Sequence, residues 1–470
     1  MVENNMYMLV ENNLDIIIVG CLLLLINLSI NGLSTRSFYN TLAICWLYTL
    51  IDSIILNDFL SLCIIILLLS IVIMIDITKR KILKEHFHYE DIFLYSQVFR
   101  FPKFYIPFVG TVKFFLIAIT ITLTSIVIVY LCYLWRDPFN YTTFITNLIL
   151  FLLLSLATLI IKTLYKNNSF KENIKDLGLI MSLLFYASQR TPRKFNPKIS
   201  NLDSKKPKTI LAIQSESFIV TNQLFDYPAS DKAIQGKLNV PCYGAYTMRS
   251  EFSFLTGVSP DQLKHHSFNP YRKIYKHISN SYIKQLKDDG YYCVVIHPFK
   301  KAFFNRNKVF NHLGFDEFID ESVFKKTDIF TSDSDLNEFV HDFLKINKDR
   351  KLFAFVITIA GHGPYTLPRQ DPKKYQAKSG NDEVDTYLDL NFKANEMLKS
   401  LLKSSNKDTL LIWYGDHKPS ISKYNLSQTD YYKTDYFISF GENNNYYKSK
   451  QDIDVENLLK FSLDQYQLLK

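Results

Sequence analysis

Cysteine is scarce in this 470-residue chain, and its six cysteines are poorly placed for cross-linking. Cys21, Cys45, Cys63 and Cys132 fall inside long apolar runs, which leaves only Cys242 and Cys293 in the more polar remainder. That distribution excludes a disulfide framework, and without a C-x-x-C pair nothing points to cysteine-bound zinc. Basic residues are missing from the opening segment MVENNMYMLVENN, and no small-residue cleavage site follows the apolar run Leu14 to Ile30. A secretory signal peptide needs both, so this run reads as a retained helix. No internal repeat is evident, and the apolar runs carry few charges beyond Asp52, which argues against a transporter.

What is present is unevenly distributed. The chain is 48% hydrophobic and 15% aromatic, and its apolar residues gather before Leu164. Five runs there are long enough to cross a bilayer: about Leu14 to Ile30, Thr41 to Leu56, Phe59 to Ile75, Val112 to Leu134 and Phe144 to Leu164. Beyond them, short apolar runs alternate with Lys, Asp, Asn and Ser, as in a water-soluble domain. The expected organisation is a helical membrane anchor over 1–166, a linker or amphipathic helix over 167–204, and a catalytic domain over 205–470. A net charge of +9 suits an anionic membrane surface or phosphate-bearing substrates, and equally suits scattered surface lysines.

In the polar part, KTILAIQSE (208–216), YYCVVIHP (291–298), FAFVITIAGH (353–362) and TLLIWYGDH (409–417) read as buried strands. Helical patterns near Ser279 to Asp289, Asp335 to Asn347 and Glu383 to Leu402 lie between them, the alternation of an α/β sheet with both faces covered. Each strand ends in a group able to bind a cation or a phosphate: Glu216, His297, His362 and the pair Asp416–His417. Ligands of open α/β sheets sit beyond the carboxyl ends of strands, so four segments aim such groups at one region. Glu, Asp and His offer oxygen and nitrogen donors for a divalent ion, Mn²⁺ or Mg²⁺ foremost and Zn²⁺ also. Thr247 stands in the turn-like run CYGAYTMRSEFSFLTG (242–257). A threonine hydroxyl is a weak nucleophile near neutral pH and becomes a competent one beside a bound cation.

These residues match a known group. QSES around Glu216, T-x-x-SEF from Thr247, FFNRNKVFNHLGFDEFID (303–320), ITIAGHGPY and WYGDH resemble the alkaline phosphatase and sulfatase superfamily, within it the lipoteichoic acid synthase and phosphoglycerol transferase group. The resemblance implies that Glu216, Thr247, Asp416 and His417 hold one metal ion, manganese foremost with magnesium or zinc as alternatives, with Thr247 as nucleophile. It implies that Arg306, His362, His297 and Phe304 line the substrate pocket, with Arg306 and His362 at the phosphate or glycerol headgroup. Formylglycine chemistry is excluded, because Thr247 replaces the Cys or Ser it requires and Met248-Arg249-Ser250 follows. Phe299 and Phe304 stand where the synthases carry an acidic residue and a Trp, which leaves the headgroup open.

The function implied is transfer of phosphoglycerol from phosphatidylglycerol to a glycan or glycerol phosphate acceptor by double displacement at Thr247. A phosphoethanolamine transferase or another phosphodiester hydrolase of the superfamily is the alternative, and a non-catalytic anchored glycan-binding protein is the alternative of another class. The resemblance places the catalytic domain outside a bacterial cell membrane, where donor and acceptor are available. Lys79, Arg80, Lys81, Lys84, Arg100 and Lys103 crowd the loop that this topology puts outside, against the positive-inside rule. The segment Lys79 to Gly110 mixes bases with aromatics and suits either an interfacial position near headgroups or a solvated loop.

Overall fold

The computed structural model describes residues 34–55, 57–102, 110–135, 141–165, 169–189, 191, 195–220, 233–325, 328–367, 369–376, 379–421, 430–441 and 451–468. The chain divides into two compact units, Met1–Lys81 with Glu85–Arg190, and Ile82–Lys84 with Thr191–Lys470.

Long runs of Leu, Ile and Val give the first unit helices α1 (Thr35–Ile55), α2 (Asp58–Leu83), α3 (Thr111–Leu134) and α4 (Tyr141–Leu164). All four are long and apolar enough to cross a membrane, and they fall on four of the expected spans. The expected span Leu14 to Ile30 lies outside the described residues. A helix satisfies its own backbone hydrogen bonds, which lipid demands. Phe115, Ile119, Leu123 and Ile126 of α3 all face outward, an arrangement suited to apolar surroundings. Asp52 accepts hydrogen bonds from Ser61 Oγ at 2.8 Å and Asn147 Nδ2 at 2.7 Å, which ties α1 to α2 and α4.

One feature of this unit differs from the sequence reading. Lys79, expected near headgroups, is only 3% exposed and pairs with Asp91 at 2.6 Å and Glu85 at 2.9 Å. Buried lysines need such carboxylates. The segment 167–204, expected as a linker or amphipathic helix, contains α5 (Phe170–Leu177), opened by a Ser169–Glu172 capping box, and α6 (Leu179–Ala187), both in the first unit.

The second unit is built on one mixed sheet whose described strands run in the order β4 (Glu317–Ile319), β3 (Tyr292–Ile296), β5 (Leu352–Ile357), β1 (Thr209–Ser215), β6 (Thr409–Gly415), β7 (Lys433–Ser439), β2 (Ile234–Asn239) and β8 (Ile453–Asp454). From β4 to β6 all neighbours are parallel; β7 runs against both β6 and β2. The parallel register carries the carboxyl ends of β3, β5, β1 and β6 to the same edge.

The central strands read as continuous apolar runs because both faces are covered. On one face Leu211, Ile213, Val294, Val356 and Trp413 pack on Leu336 and Val340 of α10 (Asp333–Ile346) and Leu398 of α11 (Asp382–Ser404). On the other, Phe254 of α7 (Thr247–Thr256) lies 5.7 Å from the Phe355 ring and 4.8 Å from that of Tyr414. Each such buried ring or aliphatic chain contributes roughly 1.5–3 kcal/mol over its exposed state.

Candidate metal and nucleophile site

Glu216 follows β1 in a turn whose next residue, Ser217, has φ 55°. Positive φ is strained for a non-glycine residue and is held by its surroundings. Here the Glu216 N–H donates to Thr358 Oγ1 at 2.9 Å, the Ser217 N–H to Asp416 Oδ1 at 2.9 Å, and Tyr387 OH to the Ser217 carbonyl at 2.9 Å. The chain passes so closely that a Cβ on Gly415 would stand 2.0 Å from the Phe218 carbonyl oxygen. Only glycine permits that approach.

The Asp416 carboxylate is held by one oxygen, since Oδ1 also accepts from the His417 N–H at 2.8 Å. Oδ2 is buried and accepts no hydrogen bond of good geometry among the described residues. The His417 ring donates Nδ1–H to the Lys418 carbonyl at 3.0 Å, which fixes the tautomer and leaves the Nε2 lone pair pointing inward. That Nε2 lies 3.4 Å from Glu216 Oε1 and 3.5 Å from Asp416 Oδ2. Thr247 Oγ1 donates to the other Glu216 oxygen, Oε2, at 3.4 Å.

Three electron-rich atoms thus converge in a buried space, and Glu216, Asp416 and His417 are placed to share one ion. Burial and the neighbouring Glu216 push the Asp416 carboxyl up to about 6. Burial pulls the His417 imidazole down, but the Asp416 and Glu216 carboxylates outweigh it and raise the group overall. Both directions express the same need for positive charge at this point. Two carboxylates, an imidazole nitrogen and a hydroxyl form a donor set that fits a divalent cation.

Thr247 is the first residue of α7 rather than part of an open turn, and Tyr246 before it has φ 69°. The left-handed Tyr246 turns the chain into the helix so that the hydroxyl meets Glu216. A second strained pair, Phe304 at φ 55° and Asn305 at φ 58°, lies beyond α8 (Tyr282–Asp288) and precedes α9 (Arg306–Leu313). It delivers Arg306 into the protein, where Nε and Nη2 bind Glu251 Oε1 and Oε2, both at 2.9 Å, and Nη1 lies 3.3 Å from His297 Nε2.

His297 donates Nδ1–H to the Ile357 carbonyl at 3.0 Å, and burial and Arg306 hold it well below the ordinary imidazole range. It joins the Arg306 group and is not part of the three-residue cluster. His362 is half-buried, its Nδ1–H on the Gly363 carbonyl at 2.7 Å; burial lowers it to about 4, and the charges of His417 and Asp416 act on it. The Phe304 ring is half-buried with its centroid 5.3 Å from the Arg306 guanidinium carbon.

A family model described as Sulfatase matches residues 208–467, more than half of the chain. The chain belongs to the sulfatase family. It is 30% identical over 246 residues to the capsular polysaccharide biosynthesis protein RkpI of Rhizobium meliloti (strain 1021), a match covering 49% of this chain and 44% of that one. It is 26% identical over 151 residues to lipoteichoic acid synthase 1 of Bacillus subtilis (strain 168), covering 30% and 24%. The crystal structure of the lipoteichoic acid synthase LtaP from Listeria monocytogenes aligns with 56% of this chain and 72% of its own, at 17% identity and a TM-score of 0.46. The chain therefore matches less than half the length of either curated relative.

Within this sulfatase-family domain, Glu251 is the polar residue that sequence reasoning left without a role. It is fully buried and also accepts from Tyr271 OH at 2.6 Å and Gln214 Nε2 at 3.2 Å. The signal was available: Glu251 is the lone carboxylate in the otherwise acid-free, aromatic-rich run CYGAYTMRSEFSFLTG. A charge is not buried there without a partner.

Proposed function

We propose that this chain is a membrane-anchored, metal-dependent phosphotransferase that moves phosphoglycerol from phosphatidylglycerol to a hydroxyl of a glycan or polyol phosphate acceptor. The reading rests on one observation above all, the convergence of Glu216, Asp416 and His417 beside the Thr247 hydroxyl. Kinship with lipoteichoic acid synthases supports the substrate class. Glu216, Asp416, His417 and Thr247 would hold the ion, and we assign Mn²⁺, with Mg²⁺ and Zn²⁺ as the alternatives a metal titration separates. A divalent cation there supplies the positive charge that favours the ionised hydroxyl and the phosphoryl oxygens.

Thr247 Oγ1 attacks phosphorus and gives up its proton, the bond from phosphorus to the diacylglycerol oxygen breaks and that oxygen takes up a proton, and phosphoglycerol remains on threonine. The acceptor hydroxyl then attacks phosphorus and the threonine oxygen leaves. His362 is the group we assign to proton transfer, because with Nδ1–H on the Gly363 carbonyl its Nε2 carries the lone pair, and a group lowered to about 4 is neutral at pH 7. Arg306 and His297 face the phosphate end of the pocket, and Phe304 walls the headgroup. The helices of the first unit keep the enzyme beside a donor that stays in the bilayer, with the catalytic domain on the outer side.

Phe299 favours a second reading. It replaces the acidic group that would accept glycerol hydroxyls, and its ring lies 6.1 Å from His297. An aromatic face receives an ammonium better than a diol, which makes ethanolamine the competing headgroup. Incubation with labelled phosphatidylglycerol or phosphatidylethanolamine, followed by mass spectrometry of the Thr247 peptide, decides both points. A glyceryl phosphate adduct absent from Thr247→Ala supports the proposal, an aminoethyl adduct replaces it with the second reading, and turnover with unmodified Thr247 refutes both.

A further inference from the structure

Two arginines approach this site, and their donors are used in opposite ways. Arg306 has Nε and Nη2 committed to Glu251 and Nη1 beside His297. Arg369 commits only one nitrogen, Nη2, which donates to the His362 carbonyl at 2.6 Å. Its Nε and Nη1 are buried and meet no acceptor among the described residues. The acid whose charge reaches it, Asp328, is occupied elsewhere: Oδ1 accepts from the Ile329 N–H, and Oδ2 from the N–H groups of Gln370 and Asp371.

The backbone places Arg369 at the site. A Cβ on Gly361 would stand 2.4 Å from the Glu216 carbonyl oxygen, so the segment beginning there lies against the Glu216 turn. Tyr365 OH donates back to the Gly361 carbonyl at 3.0 Å, and its ring meets that of Tyr387, whose hydroxyl holds Ser217. Phe330 then serves two neighbours: its ring centroid is 5.5 Å from the His362 ring and 5.1 Å from the Arg369 guanidinium carbon. The charge of Arg369 is felt at His362 and at Tyr365.

A guanidinium buried with unmet donors is unfavourable unless an anion supplies the acceptors, and guanidinium geometry suits phosphate oxygens. We propose that Arg369 is a second oxyanion-binding arginine of this pocket, its Nε and Nη1 taking oxygens of a phosphate group beside His362. The phosphate belongs to the donor lipid or to a polyol phosphate acceptor, and this assignment rests on the transferase reading above.

The test uses the full chain with phosphatidylglycerol vesicles and measures diacylglycerol release with glycerol or glycerol phosphate as acceptor. Arg369→Met, which keeps the bulk and loses the donors, should raise one KM at least tenfold, with Arg369→Lys partly restoring it. A rise confined to glycerol phosphate assigns the acceptor's phosphate; a rise for the lipid with either acceptor assigns the donor's. Unchanged KM values for both substrates in both variants overturn the inference. Should Arg369→Met fail to fold, Arg369→Lys carries the same comparison. If the wild-type chain releases no diacylglycerol, the transferase reading falls, and calorimetric titration with inorganic phosphate decides the arginine alone: weaker binding by Arg369→Met supports it, and equal binding overturns it.

Discussion

Arg306 and Glu251 meet edge to edge, with both nitrogen–oxygen pairs at 2.9 Å and side-chain exposures of 3% and 0%. The resemblance assigns Arg306 to a substrate anion; in the folded chain its Nε and Nη2 are held by the Glu251 carboxylate, and Nη1 lies beside His297. Such a pair is weak evidence of net stability, but removing one partner strands the other in a dry interior. Glu251→Ala is therefore expected to destabilise the second unit by about 3–5 kcal/mol. Glu251→Leu combined with Arg306→Met should recover only part of that, since it removes the stranded guanidinium but leaves Tyr271 OH and Gln214 Nε2 without their acceptor. Denaturant unfolding of the purified variants checks both, and the double variant should remain inactive despite its partly recovered stability.

Thr247 is 8% exposed and its hydroxyl makes the 3.4 Å contact with Glu216. Thr247→Ala should lower kcat by about 10³-fold or more, because no other hydroxyl is assigned to the attack. Thr247→Ser keeps the oxygen and should retain measurable turnover and a modified peptide. Equal activity of the alanine and wild-type proteins in the lipid assay would remove Thr247 from the mechanism.

The parts of this molecule legible in its sequence are those governed by short-range pattern. Strands β1, β3, β5 and β6 are continuous apolar runs and lie within a few residues of where the sequence pattern puts them, as do α10 and α11, whereas the stretch that forms α7 reads as a turn. Strand β2, IQGKLN, has no such run, because it lies toward the sheet's edge with half-exposed positions, and its identity comes from pairing with β7 across nearly 200 residues. The cluster of Glu216, Asp416 and His417 was readable because each residue ends a strand and the parallel register does the rest. Arg369 gave no signal: it sits in the polar run Pro368 to Lys374, and only the fold against the Glu216 turn gives it meaning.

Removing the ion should matter for stability as well as for turnover. Without it, Glu216 and Asp416 are left facing one another in a buried space, and the His417 lone pair faces both. A chelator is expected to abolish lipid turnover and lower the thermal midpoint. Restored Mn²⁺ should raise it again, by an amount equivalent to about 2.7 kcal/mol at a metal concentration 100 times the Kd. Glu216→Gln and Asp416→Asn should blunt the metal-dependent rise, whereas Glu251→Gln should not. A midpoint that ignores both chelator and metal in the wild-type chain counts against the site.

A pH dependence of stability is expected from Asp333, remote in sequence from all of these ligands. It opens α10 facing a small cavity with Asn337, Asp371, Lys374, Lys393 and Glu396, and its Oδ1 is buried without a hydrogen bond among the described residues. Lys393 is the cation nearest to its needs, but that ammonium is paired with Asp371 at 2.8 Å and Asp389 at 2.9 Å. Burial therefore dominates, with Lys393 only partly opposing it, and the carboxyl is pushed up to about 7 from its ordinary 3.8. Between those values the folded chain keeps a proton that the unfolded chain has released, so this group's contribution is fully present below pH 3.8 and is lost as pH rises through about 7. The loss is on the order of 4 kcal/mol. Asp333→Asn should thus gain stability relative to the wild type across that window and hold the gain above it, as read from thermal midpoints in a pH series. A difference between the two proteins that stays constant with pH would show that Asp333 ionises normally in the folded chain.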